Sequence, residues 1–467
     1  MKTRLILAVL LLICLLAPSA EARRHTFSTW SIEKGLSQSV VNCVFQDSRG
    51  FIWAGTQNGL NRFDGYTFKL YLYDPGDTSS ISNNWIYSVC EDHRGDLWVA
   101  TKGGLNQWVR KENRFRRIRY STDYRNNLTS FPYDVAVARD GSVIINTPPV
   151  LSLYNTVTNS FRNYTSILAY DGAVKDNRMP LLEDRQGRIW TASTGGLACL
   201  DRRTGRFTYF HPVPGKTASL SNDNITALYE DAGGILWIGT AAGLNRLDPS
   251  DGSIQRLDHN PADPLSVGSN FIRAITGDST GNLWIATEGG GLSRCRWSVP
   301  AGRLHCERYS SEQDGLASNI VLDLMIDRSH NLWAATLQGL SKTDLKPPRF
   351  RLYRRDDTPG STDLSGNVIA SIFKDENGLI WAGTWGQGLN LIDRRSGTVR
   401  HFSSRHTGSD HIPNDYIHVI FADLWNNIWI GTRDGIFVYD RLKGSFSPFR
   451  RFFRNPDLPD FRETRIN

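Results

Sequence analysis

One tryptophan keeps returning along this chain, and its spacing decides what the chain can fold into. Trp53, Trp98, Trp190, Trp237, Trp284, Trp333, Trp381 and Trp429 recur at intervals of 45 to 49 residues, with one double step of 92 between Trp98 and Trp190. Each sits in the same phrase, read most clearly in Asp92-His93-Arg94-Gly95-Asp96-Leu97-Trp98-Val99-Ala100-Thr101-Lys102-Gly103-Gly104-Leu105. A degenerate copy, Asp140-Gly141-Ser142-Val143-Ile144-Ile145-Asn146-Thr147, fills the double step, with Ile144 in place of Trp. Counted along the chain there are nine copies, Ile144 marking repeat three and Trp429 repeat nine. A chain that repeats at such a period builds one supersecondary unit many times and buries each unit against its neighbours.

The second repeat shows what the unit is. Ile86–Glu91 is a short apolar run suited to a buried strand. Asp92-His93-Arg94-Gly95 is a tight turn, Leu97–Thr101 a second strand, Leu105–Val109 a third, and Arg114–Tyr120 a fourth. Four antiparallel strands in a period in the mid-forties are a propeller blade. The first strand should be buried on both faces. In register with Val89 stand Val44, Val135, Leu181, Leu228, Ile275, Leu324, Ile372 and Ile420, all apolar. In register with Ser88 stand Cys43, Asp134, Pro180, Ala227, Ala274, Asp323, Ser371 and Val419, mostly small. The Asp-x-x-Gly turn and the Trp occur in nearly every repeat, so both are read as folding hardware.

The ring can be counted. Thr26–Ser31 precedes the first inner strand and resembles an outermost strand without a blade of its own. It can complete repeat seven, whose third strand is Leu340–Thr343; Pro347-Pro348 then interrupts the chain. The expected fold is all-β: a closed seven-bladed β-propeller over residues 23–346, then two further blades of an incomplete second propeller over residues 347–467. A single ring of eight or nine blades is the alternative.

Residues 1–22 read as a leader. Lys2 and Arg4 precede the apolar run Leu5–Leu16, and Ala20-Glu21-Ala22 is a small-x-small cleavage site. Cys14 lacks a lipoprotein setting. The expected compartment is periplasmic, and no later stretch is long and apolar enough for a transmembrane helix. Five cysteines remain after the leader, too few and too scattered for a disulfide scaffold or a metal knuckle. Cys295 and Cys306 flank one hairpin of repeat six, where a disulfide and two separate thiols are both open. The net charge of +7 comes largely from arginines on expected outermost strands, such as Arg114–Arg119. Edge charges block edge-to-edge pairing, so no nucleic-acid partner is inferred.

Motifs for catalysis are missing from the sequence: no Gly-x-Ser-x-Gly, no His-Glu-x-x-His, no phosphate loop. His401, His406, His411 and His418 are the densest imidazole group, but their spacing fits no ligand pattern. No metal and no cofactor is expected. What varies between repeats is more informative. In register with Tyr87 lie Asn42, Tyr133, Met179, Thr226, Arg273, Leu322, Ala370 and His418, and level with Trp85 lie Asn224 and Phe271. These positions open the innermost strand at the channel mouth and escape the repeat constraint. The expected ligand site is Trp85, Tyr87, Tyr133, Arg178, Asn224, Phe271 and Arg273, suited to a small polar organic molecule or oligosaccharide. The sides of the blades, filled by packing, should offer no pocket.

The quoted units Gly35-Leu36-Ser37, Phe51-Ile52-Trp53-Ala54-Gly55-Thr56 and Gly59-Leu60-Asn61-Arg62-Phe63-Asp64-Gly65, with the later Trp-Ile-Gly-Thr…Gly-Leu-Asn copies, resemble the two-component regulator propeller repeats. That resemblance implies the periplasmic sensor region of a bacterial hybrid histidine kinase or diguanylate cyclase. It implies tandem seven-bladed rings, a Tyr-rich immunoglobulin-like domain, a membrane helix and a cytoplasmic output domain. This chain reaches two repeats into the second ring and shows no kinase His box and no cyclase Gly-Gly-Asp-Glu-Phe motif, so a receptor cut short of its output domain is expected. Its partners would be the ligand and either a membrane-bound signalling protein or a second copy. The resemblance also implies a competing ligand location built on Trp385, Tyr416 and His418. The rival functions are a secreted propeller enzyme such as a polysaccharide lyase, and a protein–protein scaffold.

Overall fold

The structure, a computed structural model, describes residues 25–118, 132–147, 150–165, 179–193, 195–346, 353–355 and 363–449. The expected leader, and Arg178 with it, lie outside the described residues. The chain divides into two compact units, Arg23–Lys346 and one that takes in Pro347–Asn467. The fold is all-β, and every sheet has four antiparallel strands.

In the first unit, repeats one to seven each form one sheet. Repeat two runs Ile86–Glu91, Leu97–Thr101, Gly104–Val109 and Arg114–Ile118 from the inside out. The fourth strand of repeat seven comes from the other end of the unit: Ser28–Trp30 pairs with Gly339–Asp344, Thr29 opposite Ser341. The same bonds that join neighbouring repeats also join repeat seven to repeat one. The Asp323 carboxylate accepts from Val44 N at 3.0 Å, as Asp134 does from Leu181 N at 3.0 Å. The backbone N–H of Arg328 donates to Gln46 Oε1, as that of Arg185 does to Glu230. The seven innermost strands are therefore neighbours in a cycle.

The repeated residues explain themselves as two polar devices in an apolar stack. In eight repeats the Trp indole donates to the Asp six residues before it, at 2.7 to 3.2 Å. The other oxygen of that carboxylate accepts backbone N–H groups of its own turn, as Asp47 Oδ1 does from Arg49 and Phe51. One side chain thus shapes the turn and satisfies a buried indole, which would otherwise be a costly orphan. Repeat three lost both partners together. Six residues before Ile144 stands Ala138, and Asp140, which the sequence suggested as the turn Asp, sits two positions later. The second device is Ser82, Thr101 and Asn106. Asn106 accepts from Ser82 N, and Ser82 Oγ lies 2.9 Å from Thr101 Oγ1. Ser37–Thr56–Asn61 and Ser221–Thr240–Asn245 repeat it.

Cys295 and Cys306 lie directly opposite on neighbouring strands of repeat six and form a disulfide, which resolves the alternative left by the sequence. In the second unit, repeats eight and nine form two more four-stranded sheets. The inner strand Ile369–Lys374 is not buried on both faces as expected: Ile372 is 68% exposed, where its counterpart Val89 is 8% exposed.

Candidate functional site

The variable position of the innermost strand has a structural cause. Asn42, Tyr87, Thr226, Arg273 and Leu322 each fall where the register of that strand slips against its partner, as do Ala370 and His418 in the second unit. A bulge residue has no cross-strand partner, so pairing does not restrict it and its side chain is re-aimed. Two of them bridge repeats: Asn42 Nδ2 donates to Ile86 O at 2.8 Å, and Thr226 Oγ1 donates to Ile272 O.

On the axis of the first unit these strands enclose a cavity of about 200 Å³ to which all seven repeats contribute, through Cys43, Tyr87, Tyr133, Met179, Thr226, Arg273 and Asp323 among others. Tyr87 and Tyr133 lie with ring centroids 5.6 Å apart. Burial, and then the neighbouring Tyr133, push the Tyr87 phenol up to about 12, so it remains a hydrogen-bond donor at neutral pH. Arg273 lies over the Phe271 ring at 4.2 Å and pairs with Glu288 at the end of the next strand. The site thus combines aromatic faces, phenol donors and a guanidinium whose charge is already partnered.

Of the expected residues, Tyr87, Tyr133 and Arg273 line this cavity. Trp85 and Phe271 are not in its lining but touch residues that are: Trp85 lies 6.4 Å from the Tyr87 ring, under Lys102 Nζ at 5.7 Å, and Phe271 lies under Arg273. Asn224 is set apart from the lining; its backbone carbonyl accepts from Ala241 N at 3.1 Å. Sequence reading missed Asp134, Asp323 and Glu288. The first two were visible as the acidic exceptions in a small-residue register, and each lines the cavity while accepting a backbone N–H from the next repeat. One expectation fails outright. A second and larger cavity, about 740 Å³, opens between the sheets of repeats three and four, so the sides of the blades are not everywhere filled.

In the second unit Trp385, Tyr416 and His418 form an aromatic group, with Trp385 at 6.0 Å from Tyr416 and 5.0 Å from His418. His401 bonds Asp363 O, and His411 bonds His406 O. Among the described residues no three His, Cys, Asp or Glu side chains come together as a metal site requires, and no helix is long and apolar enough to cross a membrane.

The two-component regulator propeller model matches residues 35–58, 80–103, 219–242, 266–289 and 363–386, the inner halves of repeats one, two, five, six and eight. A histidine kinase P4 of Formosa agariphila is 46% identical over 63 residues, 14% of this chain and 5% of that protein. Among solved structures, an extracellular domain assigned to the hybrid two-component system BT3049 of B. thetaiotaomicron matches with TM-score 0.62 and 23% identity, over 90% of this chain and 54% of that one. The corresponding domain of BT4673 matches with TM-score 0.54 and 22% identity, over 91% and 53%. The chain therefore spans about half the length of these solved domains. Virginiamycin B lyase from Staphylococcus aureus shares the fold at TM-score 0.52 and 14% identity, over 69% of this chain and all of that one. The chain thus carries two-component regulator propeller repeats in both of its units.

Proposed function

We propose that this chain is the exported, non-catalytic ligand-binding region of a bacterial signal-transduction receptor, and that the axial cavity of the first unit is where it meets its ligand. The observation that carries this reading is the bulge. In five of the seven repeats the innermost strand bulges at one position, the residue there changes from repeat to repeat, and three of these residues, Tyr87, Thr226 and Arg273, line the axial cavity. A scaffold that holds its frame constant and varies only what faces a cavity is built for recognition. At about 200 Å³ the cavity is smaller than the ~300–1,000 Å³ of drug-sized sites, so it admits one sugar residue or a ligand terminus rather than a long chain. Trp85, next to the Tyr87 ring, and Phe271, under Arg273, extend the aromatic surface beyond the cavity for the rest of the molecule. The related solved structures, extracellular domains assigned to two-component systems, support the reading. We further propose that repeats one to seven are a complete seven-bladed ring and that repeats eight and nine belong to a second.

The test is thermal stabilisation by a panel of mono- and oligosaccharides, followed by the same measurement on Trp85→Ala with Arg273→Ala. Saturating ligand at about 100 times Kd should stabilise the parent by about 2.7 kcal/mol and the variant by much less. Turnover of a panel member points to an enzyme instead. Equal stabilisation of a folded variant removes the site from the axis.

A further inference from the structure

The charges around the axial cavity point one way. Among the described residues its lining carries three charged side chains, the carboxylates of Asp134 and Asp323 and the guanidinium of Arg273. Arg273, the cation of the three, is paired with Glu288 and lies over the Phe271 ring. Its side chain is 12% exposed and that of Glu288 36%, so the pair runs from the lining outward to solvent. The lining and this partner acid together set three carboxylates against one guanidinium.

Glu288 is held in place by the backbone. The hairpin between the second and third strands closes from Thr101 to Gly104 in repeat two and from Thr240 to Gly243 in repeat five. In repeat six it closes from Thr287 to Gly291, one residue longer. This longer hairpin is tied on both sides. Glu288 N–H donates to Phe271 O at 2.9 Å, and Gly289 and Gly291 N–H donate to Asn319 O of repeat seven at 3.1 and 2.9 Å. The residue after that Thr is Gln57, Lys102, Ala241 and Leu337 in repeats one, two, five and seven, and is acidic in repeat six alone. Amide, amine and alkyl side chains all fit the position, so packing does not demand an acid there. What the acid changes is the charge that Arg273 presents. A guanidinium paired with a carboxylate keeps donors for neutral acceptors but no longer draws in an anion. In a site shielded from water, Asp134 and Asp323 then repel one. Repulsion of this kind selects a ligand by excluding its charged relatives.

We propose that Glu288 is a specificity-determining residue of the axial site: by cancelling the Arg273 charge it fits the site to an uncharged, hydroxyl-bearing ligand and closes it to carboxylated or sulfated counterparts. This deepens, and rests on, the reading of the axial cavity as the ligand site. Hydroxyls both donate and accept, so they match the carboxylate acceptors and the phenol and guanidinium donors of the lining at once. A uronate brings a further carboxylate to a lining that already has two.

The experiment is calorimetric titration of the full chain at low salt with glucose and glucuronate, galactose and galacturonate, and mannose and mannuronate, pairs that differ only in oxidation of the hydroxymethyl group. The parent should bind the neutral member of at least one pair, and its uronate at least tenfold more weakly. Glu288→Gln and Glu288→Ala, which place in repeat six the residue types of Gln57 and Ala241, should each narrow that gap by tenfold or more. The narrowing should fade as salt rises and be absent in the Arg273→Met background. Damage to the fold weakens both members of a pair, so a gain in uronate binding reports charge and not structure. A uronate bound as tightly as its neutral partner, an unchanged gap in both Glu288 variants, or no binding of any of the six sugars would overturn the proposal, and the oligosaccharide panel would then judge the axial reading by itself. Equal binding of a neutral sugar by the parent and by Trp85→Ala with Arg273→Ala would overturn the axial reading and this proposal with it.

Discussion

Each turn aspartate joins a backbone turn to an indole, and this sets how the molecule answers acid. Burial by itself would raise the carboxyls of Asp278 and Asp327, but bonds from Asn282 and Thr280 to the first, and from Trp333 and Asn331 to the second, hold both below the usual value of 3.8. A depressed folded pKa stabilises the fold above the unfolded pKa, and that stability is lost as pH falls through the folded one. Urea midpoints should therefore be level from about pH 7 to pH 5 and fall below about pH 4. A midpoint unchanged at pH 3 would sink this account. Asp327→Ala strips the Trp333 indole of its acceptor and the turn of its anchor, and should cost about 1–3 kcal/mol by urea unfolding at neutral pH. This pairing was legible in the sequence only as two coincident repeats. The bond itself emerged only in the structure, which places Ala138, not Asp140, at the turn position that pairs with Ile144 in repeat three.

At the level of the strand and sheet, the period carried most of the fold. Four-stranded sheets, the borrowed strand at Ser28–Trp30 and the variable inner position were all readable, because packing against identical neighbours forces identical residues. The bulge was not readable, since an extra residue in one strand leaves the spacing of the repeat intact. Nor was the seam cavity, whose lining is assembled from different repeats, Leu153 and Tyr164 from repeat three and Arg188 and Arg202 from repeat four. The hairpin of repeat six has its own reinforcement. Cys295 and Cys306, 0% and 3% exposed, are bonded across 11 residues, so replacing both by Ser should lower stability by about 2–3 kcal/mol. Differential scanning calorimetry on the oxidised parent and the double variant measures it. An inner strand also depends on its flanks. Val89→Ser removes an apolar side chain buried between sheets and should cost more than 1 kcal/mol, whereas Ile372→Ser, at the same register but exposed, should stay within about 0.5 kcal/mol.

For the whole molecule the decisive element is the strand that closes the cycle. Removing residues 25–31 leaves Gly339–Asp344 as an open edge and uncovers Leu340, which is fully buried in the intact unit. The truncated protein should melt several degrees lower and associate with itself, seen as a concentration-dependent sedimentation profile; a monomer of unchanged melting temperature would show that closure contributes little. The same pairing imposes a delay on the newborn chain. Thr29 is among the first residues of the unit to be made, and its partner Ser341 among the last. With roughly 300 residues between them and synthesis at ~5–20 residues per second, the first strand waits on the order of 15–60 seconds for the edge it belongs to. Through that interval its Trp30 side and the edge-to-be are both open to other chains, so this protein's most vulnerable moment is set by the clock of its own synthesis.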